Sequence, residues 1–529
     1  MLESPLLVIE LLLLGTAVVA VVTRWRPQLT TVVATAVTLI NTIVWWLLGR
    51  QLSQSISLGA ASETGLLAAW RWQVDANRWA LGGVLLLLAT AVLLNQFAAK
   101  SAKPTTKQLQ PTLILLLTAT GLLALWAGSL LTLLICWTLF ALLWGICLWT
   151  LTPDAEIGNP LTKLAWLLLP LWFIALAVAF TPAAKITAGW ELIQWPPLAA
   201  AALALAALGQ MGVLPFQFWR PFNAPSDIRS QSLLHLTPPL VGAGLLMLLA
   251  DSSAIGLGLA LLLTLACLLG MLSGLRRGWM QLHLPARLLP NLALATAALT
   301  YLVGLWAGSS ALNAALRVYA LGVGILFLLG EELVARARWW RLLPGLFALA
   351  SLAGVPLTAG LISLSTLYTT WWQNGRSILI LVAMILLVPL LTAVLLHLQD
   401  RYRADLHAAK LMPHELIGDV GLFLPLLGLI MLGGGIITTI PLVVWIALLL
   451  TLILSLLLPR FLGDTQDIGA KVAAAFTVNL PNGRITTVIK QAGTAGIRTV
   501  AEAANILQGD RGLVWLLIFA LLYILATTL

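Results

Sequence analysis

The chain has 529 residues, of which 60% are hydrophobic and only 9% are charged, and its mean hydropathy is +1.00. This composition excludes an ordinary soluble domain, whose surface requires far more polar residues. The formal net charge of +10 would suit a nucleic-acid-binding protein, but in so apolar a chain an excess of Lys and Arg is typical of cytoplasmic loops. We therefore expect a lipid bilayer, and no nucleic acid, as a partner.

Apolar runs recur along almost the whole chain, and a run of about 20 residues crosses the roughly 30 Å hydrocarbon core as a helix. Lipid offers backbone groups no hydrogen bonds, so each run must be helical. The sequence predicts an all-α polytopic membrane protein with about 16 transmembrane helices. In chain order the predicted spans are 5–23, 29–49, 79–99, 109–127, 129–151, 160–181, 197–219, 231–250, 253–274, 288–308, 312–333, 343–372, 376–398, 416–435, 437–459 and 512–529.

Basic residues are unevenly distributed between the two sides of this arrangement. Loops that follow odd-numbered spans, with their edges, contain 23 of the 29 Lys and Arg residues, and the opposite loops contain five. Basic loops stay on the cytoplasmic side, so we predict a multi-pass protein of the cell inner (plasma) membrane with both termini on the outer face. Arg220 and Arg229 are counted among the inner loops. Arg317 is placed near the outer end of its span, where its side chain can snorkel to the interface.

Two spans contain proline and glycine that would interrupt a simple helix. The seventh includes Gly212 and Pro215, and the twelfth includes Pro356 and Gly360. Broken helices five spans apart predict two inverted five-helix repeats, spans 4–8 and 9–13, the arrangement with which transporters form sites at mid-membrane. Incidental proline kinks are the alternative interpretation.

The predicted segments follow from these spans and from one polar insertion. Residues 1–108 hold helices 1–3, 109–250 the first repeat, 251–400 the second repeat, 401–461 helices 14 and 15, 462–511 an amphipathic inner-face segment and 512–529 the last helix. Within the insertion, apolar residues recur every three or four positions from Ile485 to Leu507. This spacing predicts a helix that lies along the membrane or on a partner subunit; an ordinary cytoplasmic helix packed on loops is the alternative.

Six motifs occur in a consistent order between residues 70 and 370. They are "WQVDANRWALGG" before the third span, "ICWTLFALLWG" in the fifth, "GQMGVLPFQFW" in the seventh, "QSLLHLTPPLVGAGLLML" in the eighth, "GVGILFLLGEEL" in the eleventh and "LAGVPLTAGLIS" in the twelfth. Together they resemble the antiporter-like subunits of respiratory complex I, of Mrp cation/proton antiporters and of energy-converting membrane hydrogenases. The same fold serves in inorganic-carbon uptake complexes.

The resemblance implies a row of charged residues and waters that conducts protons, and most of that row is missing here. The family's fifth-span glutamate falls on Thr138, its seventh-span lysine on Gln210, its eleventh-span lysine near Val323 and its twelfth-span charge near Leu364. The eighth-span histidine is kept as His235. Thr, Gln, Val and Leu do not titrate, whereas an imidazole with an ordinary pKa of about 6.5 can relay a proton or stay neutral in a core. Thr138, Gln210 and His235 are thus the candidate residues of a proton path.

The leading hypothesis is an antiporter-like membrane subunit of a multi-subunit energy-converting complex, in which proton translocation is degenerate or altered. It either passes protons through water chains near these three residues or serves as a scaffold. The alternatives are a membrane subunit of an inorganic-carbon uptake complex and a stand-alone secondary transporter or flippase. We expect other membrane subunits as partners, and a soluble or peripheral partner on the inner face. No motif has the spacing of a metal, nucleotide or nucleophile site, so no cofactor, metal or intrinsic catalytic residue is predicted.

Overall fold

Helices dominate the computed structural model, which describes residues 5–49, 54–57, 70–102, 110–151, 160–186, 190, 195–220, 228–250, 255–330, 339–403, 413–431 and 440–462. The predicted helix over 485–507 and the predicted last span over 512–529 lie outside these residues. The segment boundaries proposed from the sequence stay a prediction.

The helices of the described ranges are α1 Leu7–Trp25, α2 Thr30–Leu48, α3 Ala76–Ala102, α4 Pro111–Leu125, α5 Leu130–Leu151, α6 Pro160–Phe180, α7 Ala183–Ile186, α8 Pro197–Gln210, α9 Ile228–Ala250, α10 Leu257–Met280, α11 Pro285–Arg317, α12 Val323–Leu329, α13 Leu342–Leu352, α14 Ala359–Gln373, α15 Ser377–Arg403, α16 Pro413–Met431 and α17 Leu442–Leu462. Strands β1 Gln54–Ser57 and β2 Arg71–Val74 form an antiparallel hairpin in which Gln54 pairs with Val74. Ten stretches of the described chain are long and apolar enough to cross a membrane. The prediction of an all-α, multi-pass membrane protein is confirmed.

The predicted tenth and eleventh spans form one helical stretch, Pro285–Leu329, that turns at Gly308. A straight helix of those 45 residues would be about 67 Å long, more than twice the roughly 30 Å thickness of the hydrocarbon core. Gly308 has φ +84°, a conformation that only glycine adopts readily. The stretch is therefore two spans, and the second contains a π-helical turn, Val318–Gly322.

The core lies around α3, α9 and the α11–α12 stretch, which are almost wholly buried, whereas only a third or less of the residues of α1, α2, α6 and α17 are buried. Exposed leucine, isoleucine and valine at this density fit a surface covered by lipid. The described part of the chain therefore has a buried central layer and an exposed, apolar rim.

Helix α16 packs closely against α3 through glycines. A Cβ at Gly421 would lie 2.5 Å from the Asn95 side chain, and one at Gly428 would lie 2.7 Å from the Leu87 side chain. Small residues permit such approach between membrane helices. A partly buried ion pair fixes the same helix to the start of α13, because Arg341 Nε lies 2.6 Å from Asp419 Oδ1 and Nη2 lies 3.2 Å from Oδ2.

The start of α3 is held by charged and aromatic contacts. Asp75 caps the helix by accepting the backbone N–H of Arg78 at 2.8 Å, as expected of an N-cap aspartate. The buried Arg78 guanidinium donates to the carbonyl oxygens of Gln73 and Ala127. These bonds tie the β-hairpin to the turn between α4 and α5 and fix the end of the central helix.

Candidate functional site

The predicted seventh and twelfth spans are both broken, and the two breaks share one backbone geometry. Helix α8 ends at Gln210 and α13 ends at Leu352, and each is followed by a left-handed glycine, Gly212 with φ +62° and Gly354 with φ +70°. At the first break Met211 N–H donates to the Ala207 carbonyl and Val213 N–H to the Leu208 carbonyl.

The same pair of bonds recurs 142 residues later. Ala353 N–H donates to the Leu349 carbonyl, and Val355 N–H donates to the Ala350 carbonyl. These bonds are typical of a helix that ends on a left-handed glycine, and α14 ends in the same way at Gly375. The two-repeat architecture stays a prediction.

The first break is capped by side chains that follow it in the chain. Trp219 Nε1 donates to the Gly209 carbonyl at 3.1 Å. Arg220 donates from Nη2 to the Met211 carbonyl at 2.6 Å and from Nε to the Gly212 carbonyl at 3.3 Å. The last carbonyls of a helix have no partner within it and carry its negative dipole end, so a cation is favourable there. The guanidinium also lies over the Trp219 ring, 5.0 Å from its centroid.

The sequence analysis counts Arg220 with the inner loops and their edges, and the structure shows that the residue is buried, with 1% exposed. Its guanidinium lies beside the hydroxyl of Tyr319. Tyr319 is the middle residue of the helical stretch 309–329, about 15 Å from either end at 1.5 Å per residue. The guanidinium thus lies beside the middle of this stretch. Because α8 stops at Gln210, residues that hydropathy assigns to a loop still lie within the protein.

Gln210 is also buried, against the glycine face of α9. A Cβ at Gly242 would lie 2.9 Å from the Gln210 Cβ. In the described part of the chain Gln210 Nε2 has no hydrogen-bond partner. The position that the resemblance assigns to a lysine therefore holds an uncharged amide.

His235 lies on α9 and is fully buried. Its ring stacks on Phe327 of α12 with centroids 5.9 Å apart and an interplanar angle of 21°. Its backbone carbonyl accepts the Tyr319 hydroxyl at 3.0 Å, and the neighbouring Leu234 carbonyl accepts Trp144 Nε1 at 3.0 Å. Trp144 in turn packs edge-on against Trp219. The structure thus brings His235 and Arg220 into one cluster through Tyr319.

Thr138 is half-buried and bonds within its own helix, its hydroxyl donating to the Leu134 carbonyl at 2.7 Å. The next residue, Leu139, is 48% exposed, so this stretch of α5 lies at the rim. Trp144, not Thr138, is the α5 residue that reaches the cluster. The sequence analysis missed it, although a tryptophan whose indole N–H must find a partner when buried is a usable signal.

The second break packs tightly at Gly360. A Cβ there would overlap the carbonyl oxygen of Ser351, so the first turn of α14 fits against the last turn of α13 only with glycine. Pro356 lies in the break itself, and Thr358 Oγ1 donates to the Val355 carbonyl at 2.7 Å. Leu357 is left-handed at φ +69° and 94% exposed.

A small cavity of about 20 Å³ with a mostly apolar lining adjoins this second break, and its volume is enough for one water molecule. Its hydroxyl lining comes from Thr296, Thr300, Ser351 and Ser363. Three of these hydroxyls donate to carbonyls of their own helices, so they present acceptor lone pairs. The buried Ser351 Oγ has no partner among the described atoms. Leu364, where the family holds a charge, also lines the cavity.

Buried charge in the described ranges is almost entirely basic. Arg78, Arg220, Arg229 and Arg341 are buried, whereas no Asp or Glu of the described residues is. Arg229, also placed in an inner loop by the sequence, donates to the Asn95 carbonyl at 3.0 Å. The described part also contains no group of three or more His, Cys, Asp or Glu residues that could hold a metal ion.

Comparison with known proteins identifies the fold. No protein-family profile and no curated protein matches the chain. A chain of the Mrp complex from Dietzia sp. DQ12-45-1b is similar at 15% identity and a TM-score of 0.64, over 99% of this chain and 62% of that one. A chain of respiratory complex I from Thermus thermophilus, with bound aureothin, is similar at 19% identity and a TM-score of 0.57, over 80% of this chain and 97% of that one.

This chain therefore spans about 62% of the length of the Mrp chain that it matches. At these identities the likeness establishes the fold. The resemblance that the motifs indicated is confirmed at that level: the chain has the fold of chains found in an Mrp complex and in respiratory complex I.

Proposed function

We propose that this chain is a membrane subunit of a multi-subunit, energy-converting complex and that its first repeat no longer relays protons. The single observation that carries the proposal is the chemistry of the first break, where the buried polar side chains are Gln210, Gln217 and Arg220. An amide does not titrate, and a guanidinium remains protonated in proteins. A proton relay needs groups that gain and lose a proton near working pH.

His235 is the remaining titratable candidate of the cluster. Its ring is fully buried and stacks on Phe327. We assign it a packing role. The chain then preserves the broken-helix scaffold of the fold while its first repeat serves assembly.

The other elements of the proposal concern placement and partners. The fold neighbours come from an Mrp complex and from complex I, which supports other membrane subunits as partners here. The distribution of Lys and Arg supports insertion in the inner (plasma) membrane with both termini outside. A peripheral partner on the inner face would contact the predicted amphipathic segment.

Purification in mild detergent tests the subunit assignment. We expect this chain to copurify with other membrane proteins in fixed stoichiometry. A stable, monodisperse single polypeptide would instead favour a stand-alone transporter.

Proton flux through the intact complex in lipid vesicles tests the altered relay. We expect His235→Ala to leave the flux unchanged once it is normalised to assembled complex. His397→Ala, at another buried histidine, on α15, controls for packing damage. A flux lost in the His235 variant, but kept in the His397 variant, would contradict the proposal.

A further inference from the structure

We propose that Arg220 supplies a fixed, uncompensated positive charge at the first broken helix, in place of the titrating charge that the family resemblance expects at Gln210. The effect on protons rests on the proposed function, whereas the placement of the charge does not.

The first step is geometric. Arg220 follows Gln210 by ten positions, but the break folds the chain back on itself. Arg220 Nη2 is 2.6 Å from the carbonyl oxygen of Met211, the neighbour of Gln210. A Cβ at Gly212 would lie 2.8 Å from Arg220 Nε. The guanidinium therefore lies against the backbone of the two residues that follow Gln210.

The second step is electrostatic. Among the described residues the Arg220 side chain contacts backbone carbonyls, the Trp219 ring and the Tyr319 hydroxyl. These partners supply dipoles and a π face without a negative charge, and no described Asp or Glu is buried. The net charge of the guanidinium thus remains in the interior of the protein, and charges buried in membrane proteins are rare and functional.

The third step is the link between the two repeats. Tyr319 donates its hydroxyl proton to the His235 carbonyl at 3.0 Å, and the Arg220 side chain lies beside the same hydroxyl. Tyr319 belongs to the π-helical turn of the second repeat, whereas Arg220 and His235 belong to the first. The charge is therefore held in position from three elements, and a lysine on a flexible stem would not be fixed in this way.

A charge-exchange cycle tests the placement. Gln210→Lys alone adds a second buried cation, and Arg220→Leu alone leaves two helix-end carbonyls without a donor. Each is expected to lower the apparent unfolding temperature of the purified complex by about 3 °C or more. The double variant contains one cation at the same place and is expected to unfold above both single variants.

The matched control combines Gln210→Lys with Arg229→Leu, which removes another buried arginine, on α9. This pair is expected to show no recovery, because the deleted charge lies at a different site. A Gln210/Arg220 double variant that unfolds at or below the lower of its single variants would overturn the proposal.

The variant Arg220→Lys tests whether a compensating acid is absent. It also tests the proposal if the exchange variants do not assemble. A buried lysine without a carboxylate partner has a lowered pKa, while the unfolded lysine stays protonated up to about pH 10.4. The unfolded state then binds more protons, so the stability of the variant relative to wild type rises between pH 7 and about pH 10. A difference that does not change with pH would mean a paired charge and would overturn the proposal.

Discussion

Replacing Gly360 by alanine tests the packing of the second broken helix. The added methyl group would overlap the carbonyl oxygen of Ser351, which is backbone and cannot rotate away. The ends of α13 and α14 would have to separate by roughly 1.5–2 Å to restore van der Waals contact. Overpacking costs about 1–3 kcal/mol where side chains can adjust, so we expect a loss of about 3 kcal/mol or more here.

The matched assay is the apparent unfolding temperature of the purified complex, followed by tryptophan fluorescence. An unfolding entropy of about 2.1 cal/mol/K per residue gives roughly 1.1 kcal/mol/K for this chain, so the loss corresponds to a decrease of about 3 °C. Gly258→Ala is the control, since nothing lies within 4 Å of its Cβ and it lies in α10, where alanine favours the helix. A shift of about 1 °C corresponds to only about 1 kcal/mol at this entropy. If both variants unfold within that range of wild type, the close contact at Gly360 does not exist.

Three further substitutions have expected outcomes. Leu357→Gly should raise the unfolding temperature, because a left-handed residue other than glycine costs about 1–3 kcal/mol and this side chain is exposed. The control Leu346→Gly, within α13, should lower the unfolding temperature. Equal shifts in the two variants would contradict backbone strain at Leu357. Arg341→Ala should lower the free energy of unfolding by about 3–5 kcal/mol, because it leaves a partly buried carboxylate unpaired. Adding Asp419→Leu should restore part of that loss in a double-mutant cycle. Additive losses would contradict the ion pair. Ser351→Ala should destabilise the protein by about 1–3 kcal/mol if the cavity binds a water, and unchanged or increased stability would mean that the cavity is dry.

The sequence was sufficient for the features that follow from local chemistry. Spans follow from the length of apolar runs, and the breaks follow from the placement of Gly212 and Gly354 with prolines nearby. The turn at Gly308 follows from the spacing between two runs. These features depend on short stretches of chain and on the thickness of the membrane, so no knowledge of tertiary contacts was needed.

The features that the sequence missed are long-range. Arg220 reads as a loop residue because hydropathy cannot show that α8 stops inside the protein and that the chain folds back. The family resemblance makes Thr138 a candidate site residue, but the rotation of α5 directs Trp144 to the cluster instead. The pairing of Arg341 with Asp419 joins residues 78 positions apart, and no local pattern predicts it. The roles of Thr138, Gln210 and His235 in proton transfer stay predictions.

An experimental density map of the purified complex tests the central claim most directly. The account predicts this chain beside other membrane subunits, with the Arg220 guanidinium on the Met211 carbonyl and the Tyr319 hydroxyl and with no carboxylate, from this chain or a neighbour, within about 4 Å of it. An acidic side chain that pairs with Arg220, or one that joins His235 in a hydrated row of charges through mid-membrane, would contradict the account.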